Sequence, residues 1–120
     1  MNHFISLQTA IDMTTVYRQN RLAILKTEYQ QQDILSLSET FDRAAIDVLL
    51  SKSGCTKLRI YYGMDTDMSI HAILVAADAE NADILPAANT VESIGTEEDD
   101  IAERGIRCPE ICPEPSVLNS

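Results

Sequence analysis

Residues 57 to 77, KLRIYYGMDTDMSIHAILVAA, predict a β-hairpin and with it the class of the fold. Side chains alternate in the first half, with Leu58, Ile60 and Tyr62 on one face and Lys57, Arg59 and Tyr61 on the other. A period of two is typical of a half-buried strand. Residues 70 to 77 are apolar at nearly every position, which predicts a central strand that is covered on both faces.

Two helices are predicted ahead of the hairpin. Apolar side chains recur at helical spacing in residues 41 to 50, on the face formed by Phe41, Ala44, Ala45, Val48 and Leu49. Ser38 or Thr40 is the expected N-cap of this helix. A second amphipathic pattern, over residues 7 to 17, predicts a helix that is capped by Ser6.

The chain outside these elements adds little regular structure. Ile84 and Leu85 precede Pro86 and predict a short third strand, since proline cannot donate to an interior ladder. Residues 101 to 104 are the one later stretch expected to form a helical turn. Residues 34 to 37 are ambiguous: either they add a strand to the sheet, or a second copy of the chain completes the sheet edge.

Together these elements predict an α+β fold, in which N-terminal helices pack on a small antiparallel sheet. At 120 residues the chain is long enough for one hydrophobic core, and we expect a single domain. Residues 1–86 are expected to form the helix-plus-hairpin body. Residues 87–120 are expected to form an acidic extension, mostly loop, that packs on the body.

The negative charge lies in the C-terminal third of the chain. The formal net charge is −10, and residues 78 to 120 hold eleven acidic residues with only Arg104 and Arg107 as bases. A field of this sign repels phosphate, which argues against nucleic-acid partners and anionic membrane surfaces. The first six residues lack a basic n-region and a long apolar h-region, so we predict a cytoplasmic protein.

The cysteines are the candidate metal or redox ligands. Three cysteines without a secretion signal predict reduced thiols. Cys108 and Cys112 are each followed by a proline, which favours an extended or turning loop over a helix. Such a loop can present two thiolates to zinc, with Cys55 and either His71 or His3 completing a tetrahedral site. A reversible disulfide and free or packed thiols are the alternatives, and no cofactor other than this zinc ion is predicted.

Part of the chain resembles a group of small bacterial proteins of no known activity, most of them from Bacteroidetes. The resemblance spans residues 41 to 113 and is carried by LRIYYGMD at residues 58 to 65, by IH and ILV in the second hairpin strand, by DILP at residues 83 to 86 and by RCP with CP in the tail. It implies that the hairpin and the cysteine-containing tail occur together, so that the tail is part of the fold.

The first hairpin strand carries a candidate recognition surface. Tyr61 and Arg59 are residue types that anchor interfaces, and Tyr62 is expected at the rim of the same surface. Cross-strand pairing that shields the backbone explains the same residues without a partner.

The turn between the hairpin strands extends this surface. Asp65 and Asp67 lie in the turn, and together with His71 they form a candidate divalent-metal or acid–base cluster. Aspartates also close turns of this kind through their side chains, which explains the pattern without catalysis.

These observations favour a binding protein over an enzyme. The sequence contains no G-x-G-x-x-G, Walker, G-x-S-x-G or H-E-x-x-H motif. The leading hypothesis is a non-catalytic binding or assembly module that contacts itself, as a homodimer, or another protein. A thiol-based zinc or redox site at the C-terminal cysteines is the alternative, and a hydrolase built on the Asp65 cluster is the third hypothesis.

Overall fold

The computed structural model describes residues 2–86 and 101–119, and its central element is a strand, β3, at Ile70–Asp78. β3 pairs antiparallel with β2, Cys55–Met64, in a register that places Ile60 opposite Leu74. The predicted hairpin is therefore confirmed, with its turn at residues 65 to 69. On its other edge β3 pairs with β4, Asp83–Ile84, and with β5, Ile101–Ala102.

On the side of β3 that faces away from β2, other parts of the chain provide hydrogen-bond partners along the length of the strand. β5 pairs with Leu74 and Val75, and β4 with Ala76 and Ala77. Ahead of these pairs, the Ile70 amide donates to the Ile34 carbonyl at 2.8 Å. The next outward amide, that of Ala72, donates to the Glu39 carboxylate at 2.8 Å. β3 is thus a central strand, and within the described residues β2 is an edge strand of this sheet.

A second, two-stranded sheet joins the tail to the body. β1, Ser38–Thr40, pairs antiparallel with β6, Ile106–Cys108. The backbone of Gly105 passes so close to the body that a Cβ there would lie 2.7 Å from Phe41 Cε1 and 2.8 Å from Glu39 Oε2. The Arg107 guanidinium donates to the carbonyls of residues 33 and 34. The tail therefore contributes strands to both sheets.

Two α-helices and one 3₁₀ turn complete the described structure, which is an α+β fold as predicted. The first helix, α1, is Leu7–Asn20, and the Ser6 side chain caps it by accepting from the Thr9 amide at 3.0 Å. The 3₁₀ turn is Thr27–Tyr29. The second helix, α2, is Arg43–Leu50 and begins after Asp42.

The core lies between α2 and one face of the main sheet. Leu49 of α2 packs with Leu74 and Ala76 of β3, and these three side chains are buried. Phe41 and Ile46 pack against them at the margin. Val75 and Ala77 are also buried on the opposite face of the sheet, which confirms that β3 is covered on both faces.

Three local predictions are wrong. α2 begins at Arg43, so residues 38 and 40 do not cap it but belong to β1. Residues 101 to 104 do not form a helical turn, because Ile101 and Ala102 complete the open edge of β3. For residues 34 to 37, for which the sequence leaves two alternatives open, the structure has no strand; the strand starts at Ser38 and pairs with the tail. The apolar face of β2 is not buried, as described below. The acidic block at residues 96 to 100 lies outside the described residues.

Candidate functional site

The apolar face of the edge strand β2 is exposed. Four side chains form this face, which we call the β2 stripe: Leu58, Ile60, Tyr62 and Met64. The sequence pattern predicts the first three as the buried side of the strand, yet Ile60 is 50% exposed and Tyr62 is 80% exposed. The core explains this exposure: from Leu74 and Ala76 of β3 it continues to Ile84 and Ala102 on the other side of the sheet, whereas of β2 only Cys55, at the start of the strand, packs against it. The stripe is therefore an apolar surface that is only partly covered by the described residues.

A groove continues this surface towards α1. It has a volume of about 290 Å³, and its walls include Tyr62 of β2 and Tyr17 of α1, with Ile70 and Ala72 among the other lining residues. The Tyr17 hydroxyl donates to the Ser36 carbonyl at 2.5 Å. Burial raises the pKa of Tyr17, against the opposing effect of Arg21 and Arg107. The groove is thus a mostly apolar recess with tyrosines on two sides.

The other face of β2 is occupied by contacts within the chain. Arg59 forms an ion pair with Asp83 and donates to the Asn81 carbonyl at 3.0 Å, while the Tyr61 hydroxyl donates to Asp83. The hydrogen bond from Tyr61, and then that from Arg59, lower the pKa of Asp83. The hydrogen bond to Asp83 in turn raises the pKa of Tyr61. Arg59 and Tyr61 therefore tie β2 to β4 across β3, and of the two predicted recognition tyrosines Tyr62 is the more exposed.

The turn between β2 and β3 is closed by Asp65. Its carboxylate accepts from the amides of Asp67 at 2.9 Å and Ser69 at 3.1 Å, and lies 2.7 Å from His71 Nε2. The hydrogen bond to His71 is the main cause that lowers the pKa of Asp65. The other imidazole nitrogen, Nδ1, is 3.5 Å from Glu103 Oε1. Asp65 and His71 are thus brought together, whereas Asp67 contributes its backbone amide to the turn.

The expectation of three reduced thiols is wrong for two of the cysteines. Cys108 and Cys112 form a disulfide, with their Cα atoms 4.6 Å apart, and Cys55 is free. The loop turns back on itself between the two cysteines, which brings them within bonding distance. Cys108 is buried in β6, while Cys112 is exposed. Cys55 lies at the far end of the hairpin, opposite Asp78.

No group of three or more His, Cys, Asp or Glu side chains is placed to hold a metal ion in residues 2–86 and 101–119. The zinc hypothesis stays a prediction. It concerns the reduced form of the protein, in which Cys108 and Cys112 are thiols and not a disulfide. In the same parts of the chain, no helix combines the length and apolar character that a membrane span requires.

Some elements of this site carry no local sequence signal. Asp83 and Asn81 lie more than twenty residues from Arg59, and only the fold brings them together. Met64 follows the alternation of the stripe, so extending the period by one step identifies it. Comparisons with protein-family models, with curated proteins and with solved structures give no match for this chain.

Proposed function

We propose that this protein is a non-catalytic assembly module that forms homo-oligomers through the β2 stripe. The observation that carries the proposal is the exposure of an apolar strand face, at Ile60 and Tyr62, that has the alternating pattern of a buried one. Contiguous exposed apolar surfaces on small domains mark interaction sites.

The composition of the stripe supports a protein partner. Tyr62 supplies an aromatic anchor of the kind that contributes most to interface energy, and Leu58, Ile60 and Met64 surround it with aliphatic surface. The groove beside Tyr62 is a recess that a partner side chain can fill. The acidity of the C-terminal third argues against a phosphate-bearing partner.

Light scattering on the full chain over a dilution series tests this proposal. We expect the native chain to form an oligomer that dissociates on dilution. We expect the oligomer of the Tyr62→Ser variant to dissociate at a higher protein concentration than that of the native chain. Phe4→Ser is the matched control, since Phe4 is an aromatic residue that is 90% exposed outside the stripe. A native chain that is monomeric at all concentrations, or a Phe4→Ser effect equal to that of Tyr62→Ser, contradicts the proposal.

A second candidate function is thiol–disulfide exchange at the tail, which the Cys108–Cys112 disulfide favours. Cys112 is the exposed member of the pair, so an external thiolate attacks its sulfur and releases Cys108 as a thiolate. A second thiol of the same reductant then displaces Cys112, leaving two protein thiols and an oxidised dithiol.

The two states of the cysteines are distinguished by equilibration in a series of dithiol redox buffers. Conversion between the disulfide and the dithiol within the cellular range supports exchange, and a disulfide that stays closed throughout removes it. Elemental analysis of reduced protein, purified without chelator, tests the zinc alternative: stoichiometric zinc that is lost in Cys108→Ser supports it, and its absence counts against it.

A further inference from the structure

We infer that the partner of β2 is a second copy of this chain, joined by antiparallel pairing of the two β2 strands with Ile60 opposite Ile60. This inference rests on the proposed assembly function and specifies its geometry. It joins the two main sheets into one continuous sheet across a two-fold axis.

The backbone of β2 has an open edge. β2 is a strand of ten residues, Cys55–Met64, and within the described parts of the chain it pairs only with β3. The outward amides and carbonyls of such an edge are a template for another strand. Strand pairing satisfies these groups and brings the side chains of the two β2 stripes together as cross-strand neighbours, which shields part of their apolar surface.

The charges that normally protect an edge strand are directed away from this edge. Lys57 and Arg59 are the charged residues of β2, and lysine or arginine on an edge opposes pairing. Lys57 Nζ donates to the Ala79 carbonyl at 3.3 Å, and Arg59 is bound to Asp83. Both cations are thus bound on the β3 side of the strand, which leaves the outer edge of β2 without a charged side chain of its own.

Two conditions select the register of the β2–β2 pair: the apolar side chains of both copies must share one face, and like charges must not lie opposite each other. The apolar faces of two copies lie on the same side of the joined sheet only when a residue of β2 pairs with itself. Centring the pair on Arg59 places two arginines opposite each other, and centring it on Leu58 places Lys57 opposite Arg59; like charges in these positions destabilise pairing.

A pair centred on Ile60 avoids both charge conflicts and pairs the largest number of β2 residues. Residues 56 to 64 then pair, whereas only residues 58 to 64 pair when the centre is Tyr61. In this register Leu58 lies opposite Tyr62, an aliphatic–aromatic pair of the stabilising kind. Arg59 lies opposite Tyr61 on the other face, which juxtaposes a cation and an aromatic ring.

Cysteine cross-linking of the full chain tests this register. In a Cys55→Ser background, Ile60→Cys places two thiols directly opposite each other, so mild oxidation is expected to give a covalent dimer. Tyr62→Cys alone is expected to give none, because the two introduced thiols are then about 13 Å apart along the strand direction. The pair Leu58→Cys with Tyr62→Cys restores cross-linking, and it replaces Ile60→Cys as the test if circular dichroism shows that Ile60→Cys is unfolded.

The outcomes separate this inference from the proposed function. Covalent dimers from Ile60→Cys and from the double variant, but not from Tyr62→Cys, support the register. Cross-linking of Tyr61→Cys in preference to Ile60→Cys overturns it. If light scattering shows an oligomer but none of these variants cross-links, β2 pairing is wrong and the assembly function stands. A native chain that is strictly monomeric overturns both.

Discussion

Replacing Ile60 with threonine is expected to weaken assembly without weakening the fold. Full burial of an isoleucine side chain contributes about 1.5–3 kcal/mol. Half of Ile60 is exposed in the single chain, so the part of this surface that the partner strand shields contributes at most about 0.8–1.5 kcal/mol per copy. A two-fold dimer contains this contact twice. Threonine preserves the strand preference of a β-branched residue but removes most of the apolar surface.

The expected result is therefore a rise of about tenfold in the dissociation constant, since about 1.4 kcal/mol corresponds to one order of magnitude. Sedimentation velocity over a concentration series measures this constant. Ile5→Thr is the matched control, because Ile5 is 61% exposed but lies outside the stripe. Equal dissociation constants for Ile60→Thr and Ile5→Thr would refute the reasoning. A fall in the free energy of unfolding of the monomer by more than about 0.5 kcal/mol for Ile60→Thr would show instead that the residue supports the fold.

Three further predictions concern the fold and its chemistry. Gly105→Ala is expected to lower the free energy of unfolding by about 1–3 kcal/mol in urea titrations, because its Cβ meets Phe41 and Glu39; an unchanged midpoint contradicts the packing. Asp83→Asn is expected to make the fold less sensitive to acid. The pKa of Asp83 is lowered in the folded chain, so the Asp83 carboxylate stabilises the fold above its unfolded pKa, about 3.9, and this stabilisation is lost as the pH falls through the lower folded value. If acid lowers the free energy of unfolding of Asp83→Asn as steeply as that of the native chain, the prediction is wrong. Thiol titration in denaturant is expected to find Cys55 alone before reduction and all three cysteines after it, and three reactive thiols before reduction would exclude the disulfide.

The elements that were predictable from the sequence are those fixed by local pattern. The hairpin followed from alternation in β2 and the continuous apolar run in β3, and the N-terminal helix from its spacing and the Ser6 cap. The short strand before Pro86 was found for a similar reason, since proline and the preceding turn residues mark its end.

The elements that were not predictable depend on contacts between distant segments. Ile101 and Ala102 become a strand because the edge of β3 is open at Leu74 and Val75, and a two-residue segment is too short to show a period. Likewise β1 forms because residues 106 to 108 pair with it. Local propensity cannot anticipate pairings of this kind.

The candidate site was predictable in its residues but not in its exposure. Alternation identifies Leu58, Ile60 and Tyr62 as the apolar face of β2, but it does not specify what covers that face. Arg59 and Tyr61 were predicted as a recognition surface, and the fold engages both with Asp83, a residue on another strand.

Hydrogen exchange of the β2 amides at high and low protein concentration tests the central claim most directly. If β2 pairs with a second copy, the outward amides of residues 56 to 64 exchange slowly in concentrated protein and quickly on dilution, while those of Leu74 to Ala77 are protected at both concentrations. Exchange at β2 that does not change with concentration would contradict the claim.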